Sequence, residues 1–117
     1  MAEQSVKKRL REWIKSDDID ILRVPPKIFQ PHRILILKIL YLHGEAEFRE
    51  LKHDLQITDG NLASHLRALE EEGYVKVHKH IIDRKLRTAY VLTKEGSDAF
   101  MEFKMHLAKV IRNELEG

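Results

Sequence analysis

Asn61, Ser64, His65 and Arg67 carry donors and acceptors of the kinds that read base edges. An asparagine bonds adenine in a bidentate manner, an arginine does the same with guanine, and a serine takes either a base edge or a phosphate. A second set lies downstream. Between Tyr74 and Leu92 stand Lys76, Lys79, Arg84, Lys85 and Arg87, against Asp83 alone. A basic segment on a chain of net charge +2 suits a directed contact with phosphate. The plain reading is a solvated hairpin whose charges discourage edge pairing. Histidines form a third set. His78 and His80 are two apart, the spacing that puts two ligands on one face of a strand, and His106 is a third across a dimer. No acidic partner completes a set, so neither a metal site nor a cofactor is expected. Enzymatic chemistry lacks its parts too. There is no cysteine, no glycine-rich phosphate loop and no pair of carboxylates framed by a histidine.

The elements that must position these groups follow from periodicity. Phe48 to Gly73 reads as two short helices joined by a tight turn. The first, Phe48 to Leu55, turns Phe48, Leu51 and Leu55 inward, and Ile57 plugs the turn. The second, Asp59 to Glu72, has Leu62, Leu66, Leu69 and Gly73 on one stripe. Gly60, Ser64, Arg67 and Ala68 face the other way, with Asn61 and His65 on a flank. Thr58 caps this helix and stands at the same surface. Asp59 suits the positive end of the helix dipole but would repel phosphate, which assigns it to helix initiation. His65 has a second reading as a partly packed helix-surface imidazole, and Arg67 a second reading as the partner of Glu70 or Glu71.

Tyr74 to Thr93 alternates as a β-hairpin whose tip lies near Asp83 to Leu86. It holds no glycine and no Asn-Gly pair, so a turn longer than two residues is expected. Pro31 opens a preceding helix that is apolar nearly all round, from Ile34 to Leu42, and so is expected to be buried on more than one side. Arg33 and Lys38 are its exposed points, and Gly44 stops it. Thr93 caps a last helix running to about Glu116.

Helix, turn, helix, hairpin is the winged-helix order, and here the chain resembles a known family. Asp59-Gly60-Asn61-Leu62, Ser64-His65-Leu66, Leu69-Glu70, Gly73-Tyr74-Val75, Arg84-Lys85, Arg87-Thr88, Tyr90 and Leu92-Thr93-Lys94-Glu95-Gly96 match winged-helix transcriptional regulators of the MarR/ArsR-like type. The small prokaryotic and archaeal single-domain group is the nearest in pattern. The likeness covers Pro31 to Phe100. It implies a mainly α, α+β winged helix-turn-helix with a two-stranded wing and extra N- and C-terminal helices. Within it, the histidine of the Ser-His-Leu pattern commonly lies at the DNA surface. The resemblance implies a regulator that places helix 59–72 in the major groove of double-stranded DNA and the 80–88 wing on the backbone or minor groove. The DNA-contacting residues are then Thr58, Asn61, Ser64, His65, Arg67, Lys79, Arg84, Lys85 and Arg87. The absence of cysteine argues against the cysteine-based metal sensors among ArsR-like proteins.

At 117 residues, 43% hydrophobic and 34% charged, the chain reads as one domain. Residues 1–24 are an N-terminal helix and connection, 31–93 the winged-helix core and 94–117 a dimerisation helix. Glu3 to Lys15 repeats Val6, Leu10, Trp13 and Ile14 at helical spacing. Its basic run, Lys7 to Arg11, is read as the wet face of a packing helix rather than a phosphate arm, and Trp13 as an interface or core anchor. Ser16 to Gln30 is irregular, and Pro25-Pro26 breaks any helix. In the last helix Phe100, Phe103, Leu107, Val110 and Ile111 make one stripe, Met101, Met105 and Ala108 another. That surplus of apolar surface predicts a homodimer through Val6, Leu10, Trp13, Phe100, Phe103, Leu107, Val110 and Ile111. The rival is a monomer whose terminal helices pack on each other. No run is apolar over membrane length and no signal core follows the N-terminal basic residues, so no membrane contact and a cytoplasmic location are expected. A small-molecule effector has room between dimer helices and core, but no residue names one. The competing function is a winged helix used for protein contact without sequence-specific DNA binding. Glu71 and Glu72 keep it open.

Overall fold

Pro31 presets the first helical turn, and the helix α1 runs Pro31–His43 until Gly44, at φ +86, lets the chain turn away while its amide bonds Leu40 O at 2.9 Å. The structure is a computed structural model and describes residues 14 and 16–116. The expected N-terminal helix, with Val6, Leu10 and Trp13, lies outside the described residues. After α1 come strand β1 (Glu45–Glu47), α2 (Phe48–Leu55), α3 (Asp59–Glu71), β2 (Val75–Ile82), β3 (Lys85–Leu92) and the long α4 (Lys94–Glu116). Ahead of α1, the irregular stretch holds two short 3₁₀ segments, Asp18–Arg23 and Pro26–Ile28. The mainly α, α+β winged-helix architecture expected from the pattern is the one observed.

The chain divides into two compact units, one of residues 26–100 and one of residues 1–25 with 101–117. In the first, Ile28, Ile36, Leu37, Leu40, Leu51, Leu62, Leu66 and Leu69 are all under 2% exposed. The leucine stripe of α3 therefore rests on the stripe of α1 and on Leu51 of α2. Burying each such side chain contributes about 1.5–3 kcal/mol. One expectation fails here. Helix α1 is not buried on several sides, because Leu35 and Leu42 stay 45% and 64% exposed. A single helix in a unit this small meets neighbours along one stripe only.

Local chemistry sets the helix ends. Glu47 and Glu50 form a reciprocal capping box on α2, in which the Glu47 amide donates to Glu50 Oε1 at 3.0 Å. The Asn61 amide donates to Thr58 Oγ1 at 3.3 Å, and the Gly96 amide to Thr93 Oγ1 at 3.0 Å, so both threonines cap as expected.

The sheet has three strands in the order β1-β3-β2, all antiparallel neighbours. β1 is an addition to the two-stranded wing read from the sequence. Glu45-Ala46-Glu47 has no strand propensity of its own, and pairs because β3 offers it an open edge. The hairpin turn is also shorter than expected. Ile82 pairs with Lys85, leaving only Asp83 and Arg84 between strands, at φ +52 and +65. Two left-handed residues make the primed turn whose twist matches a hairpin, here built without glycine. An L-residue in that region costs about 1–2 kcal/mol. Arg84→Gly is therefore expected to stabilise the fold by about 0.5–1 kcal/mol in urea unfolding, while removing a cation from the tip.

Candidate nucleic-acid interface

Helix α3 is divided lengthwise. Its buried stripe fixes the rotation of the rod, and the opposite row, Gly60, Ser64, Arg67 and Glu71, is exposed. Asn61 on the flank is exposed, Thr58 is exposed at the N-cap, and His65 and Ala68 are half-buried. Among the described residues Arg67 joins no ion pair, so the expected alternative of pairing with Glu70 or Glu71 is not realised. Asp59 does have a partner. Lys52 Nζ lies 2.9 Å from its Oδ1, which offsets the negative charge at the start of the helix. At the other end Glu72 pairs with Lys27 at 3.0 Å.

His65 is held from α1. Its Nδ1 accepts a hydrogen bond from Arg33 Nε at 3.1 Å, and its ring stacks on His32 at a centroid distance of 5.4 Å. Arg33 also donates to the Lys27 carbonyl at 3.1 Å. Arg33 is thus not the solvent-exposed point that its place in α1 suggested, but a half-buried brace between α1, α3 and the preceding turn. Burial, then the Arg33 charge, then His32 hold the His65 pKa below its usual value of 6.5. The sign is that of a group reluctant to charge in the fold. The unfolded chain binds this proton more readily, so the stability tied to neutral His65 is present above pH 6.5 and is lost as pH falls through the depressed folded value. Protonated Nδ1 also no longer accepts from Arg33. Replacing Arg33 with alanine is expected to move the His65 titration, followed by imidazole NMR, upward but not back to 6.5, because burial remains. An unmoved titration would show that the brace does not act on the ring.

The wing presents Lys79, Arg84 and Lys85 exposed and Arg87 half-buried. Among the described residues none of the four is in an ion pair. Cross-strand register puts Lys85 beside Ile82 and Arg87 beside His80 on one face, with Lys79 beside Thr88 on the other. The root of the wing is fixed to the core by Val75, 3% exposed, and by Ala46 of β1, 6% exposed. Tyr90 lies near α3: burial, then the Glu70 charge, raise its pKa above 10.0.

Of the residues expected to form a dimer surface, Phe100 and Phe103 are each 4% exposed within the single chain. Phe100 packs its ring on Tyr41, with centroids 5.5 Å apart. They belong to the interior, which corrects their assignment to a subunit contact. Leu107 and Ile111 remain 37% and 48% exposed and Val110 half-buried, with Met101 and Met105 exposed beside them. No helix among the described residues is long and apolar enough to cross a membrane.

Two groups of residues escaped the sequence. Arg33 and His32 bear on the α3 surface from a helix about thirty positions upstream, and Glu45 stands with His78 and His80 from a strand that the pattern did not reveal. Neither pairing has a local signal, since each is made by the packing of distant segments.

The comparisons with known proteins agree with this geometry. Residues 32–111 match the family model described as a winged helix DNA-binding domain. An uncharacterised protein of Methanocaldococcus jannaschii is 37% identical over 81 residues, which is 69% of this chain and 88% of that protein. A solved structure from Pyrococcus horikoshii, described as a transcriptional regulator homologue, is 33% identical with a TM-score of 0.68, covering 90% of this chain and 95% of that one. A Thermotoga maritima transcriptional regulator, at 22% identity and a TM-score of 0.66 over 93% of this chain and 77% of its own, shares the fold. With its capped α3, its leucine-set rotation and its paired wing, the chain belongs to the winged helix DNA-binding domain family.

Proposed function

We propose that this protein is a sequence-specific transcriptional regulator that binds double-stranded DNA as a homodimer on a palindromic site. Helix α3 enters the major groove, where Asn61, Ser64 and Arg67 meet base edges and Thr58 meets the backbone. The wing lies along the backbone or in the adjacent minor groove, with Lys79, Arg84, Lys85 and Arg87 against phosphate. His65 stands at the edge of this surface, and its brace to Arg33 sets the angle of α3 against α1. One observation carries the reading. The face of α3 turned from the core bears short and polar side chains with an arginine, and the wing bears cations, that have no ion-pair partner among the described residues. The P. horikoshii relative, described as a transcriptional regulator homologue, supports regulation as the use.

The homodimer rests on the exposed apolar side chains of α4, namely Leu107, Ile111, Met101 and Met105. A C2 pair of such helices covers surface that one chain leaves wet. Selection of bound duplexes from a random pool at two salt concentrations tests both parts. An inverted-repeat consensus is expected, with affinity falling steeply as salt rises. Enrichment of no sequence, with binding to a protein partner instead, would favour the contact-module alternative that the exposed Glu71 and Glu72 admit. Sedimentation as a monomer at micromolar concentration would remove the dimer.

A further inference from the structure

Glu45, His78 and His80 come from strands that are not neighbours, since β3 lies between β1 and β2. Their ligand atoms nevertheless all lie within 4.8 Å of one another. The row between them is low. Ala89, 2% exposed, pairs with Glu47 on one side and with His78 on the other. Strand alternation puts His78 and His80 on one face, their rings stacked at 5.2 Å and 29°.

The hydrogen bonding around His80 is incomplete. Nε2 is 4.0 Å from Glu45 Oε1, too far for a hydrogen bond. Nδ1 is buried and has no hydrogen-bond partner among the described residues. Nε2 is the nitrogen that faces Glu45, so the case for a ligand rests on the convergence of two imidazoles and a carboxylate rather than on Nδ1.

We propose that Glu45, His78 and His80 bind one divalent transition-metal ion of the zinc class at the root of the wing. Imidazole suits zinc, cobalt and nickel, whereas calcium and magnesium want oxygen donors throughout. Donors on a tetrahedral ion with metal–nitrogen bonds of about 2.0–2.1 Å stand about 3.3 Å apart. The ligand atoms start within 4.8 Å of one another, and Glu45 and His78 are exposed, which leaves their side chains room to rotate toward that separation. Three protein ligands leave a fourth position for water. Arg87, opposite His80 in register, opposes the ion's charge and makes the site weaker than a closed four-ligand cage. His106, considered from the sequence as a third ligand across a dimer, is not in the group that one chain forms. The bound ion joins β1, which leads directly into α2, to β2, which carries the wing tip. It therefore stiffens the hairpin where the hairpin is rooted.

The site is tested on the full chain, stripped with chelator and titrated with Co²⁺ and Zn²⁺ by calorimetry and visible absorption. One ion per chain is expected, with ligand-field bands of a low-coordinate Co²⁺. Glu45→Gln should weaken binding by about tenfold or more, and His78→Ala with His80→Ala should abolish it. His106→Ala should bind like the parent. No saturable binding, or parent-like binding by both site variants, overturns the proposal, as does loss of binding in His106→Ala. Should the double variant fail to fold, Glu45→Gln decides, because it alters only an exposed side chain of nearly unchanged shape. The site does not rest on DNA recognition. A chain that binds the ion but no DNA sinks the regulator reading alone, and the converse result sinks the site alone.

Discussion

Gly96→Ala is expected to destabilise the protein by about 3 kcal/mol, lowering the melting temperature by about 10 °C. Gly96 lies in the first turn of α4, where the helix presses on the chain leaving α3. A Cβ there would fall inside the van der Waals envelope of the Tyr74 carbonyl oxygen, and within 2.8 and 2.9 Å of the Tyr74 carbonyl carbon and Cα. These are backbone atoms, so no side chain can swing aside. Nor is the carbonyl free to retreat. It accepts the Thr93 amide at 3.0 Å, while the Thr93 hydroxyl donates to the Gly73 carbonyl and caps Gly96. Relieving the clash breaks this joint, and the joint sets where β2 leaves α3. Thermal unfolding followed by circular dichroism is the measurement. A melting temperature within a degree or two of the parent would mean that α4 does not seat on Tyr74 in this way.

The second large effect separates grip from reading. Replacing Arg84 and Lys85 together with alanine should lower affinity for every duplex, by about tenfold per lost cation, since a hydrogen bond to a charged group contributes about 1.5–3 kcal/mol. The log–log salt slope should shrink by about 2 for each protomer engaged. Asn61→Ala should act differently. Loss of a bidentate contact costs about 1–3 kcal/mol on the preferred site only, so specific and random duplexes move closer together at an unchanged salt slope. Both substitutions are at exposed positions outside the core, so stability is not expected to confuse the result. Fluorescence anisotropy with a selected site and a scrambled duplex, each at several salt concentrations, distinguishes the two patterns. Parent-like behaviour of both variants would sink the docking geometry. Arg84 is informative for a further reason. It holds a left-handed backbone conformation that glycine would fill with less strain, and strain kept at an exposed cation points to use of that cation.

Much of this architecture follows from short-range pattern. Helical spacing of Leu62, Leu66 and Leu69 determined not only that α3 is a helix but which of its faces points outward, and therefore that Ser64 and Arg67 are exposed. Alternation from Val75 to Leu92 determined the hairpin, and Pro31, Gly44, Thr58 and Thr93 marked helix ends by mechanisms that act within a single turn. The features that only tertiary structure decided share one property: they join residues far apart in the chain. Glu45-Ala46-Glu47 is a strand because β3 has a free edge, not because of its own residues. The tip closes in two residues because eight continuous cross-strand pairs fix its register, which outweighs the poor fit of arginine to left-handed backbone. Phe100 and Phe103 carry the same periodicity as Leu107 and Ile111, yet the first two are interior and the latter two exposed. Periodicity names a stripe but not its occupant. Arg33 reaches His65, and Glu45 reaches His80, across 32 and 35 positions of chain. Contacts over such separations leave no trace in the residues between them, because what brings the ends together is the burial of a shared core.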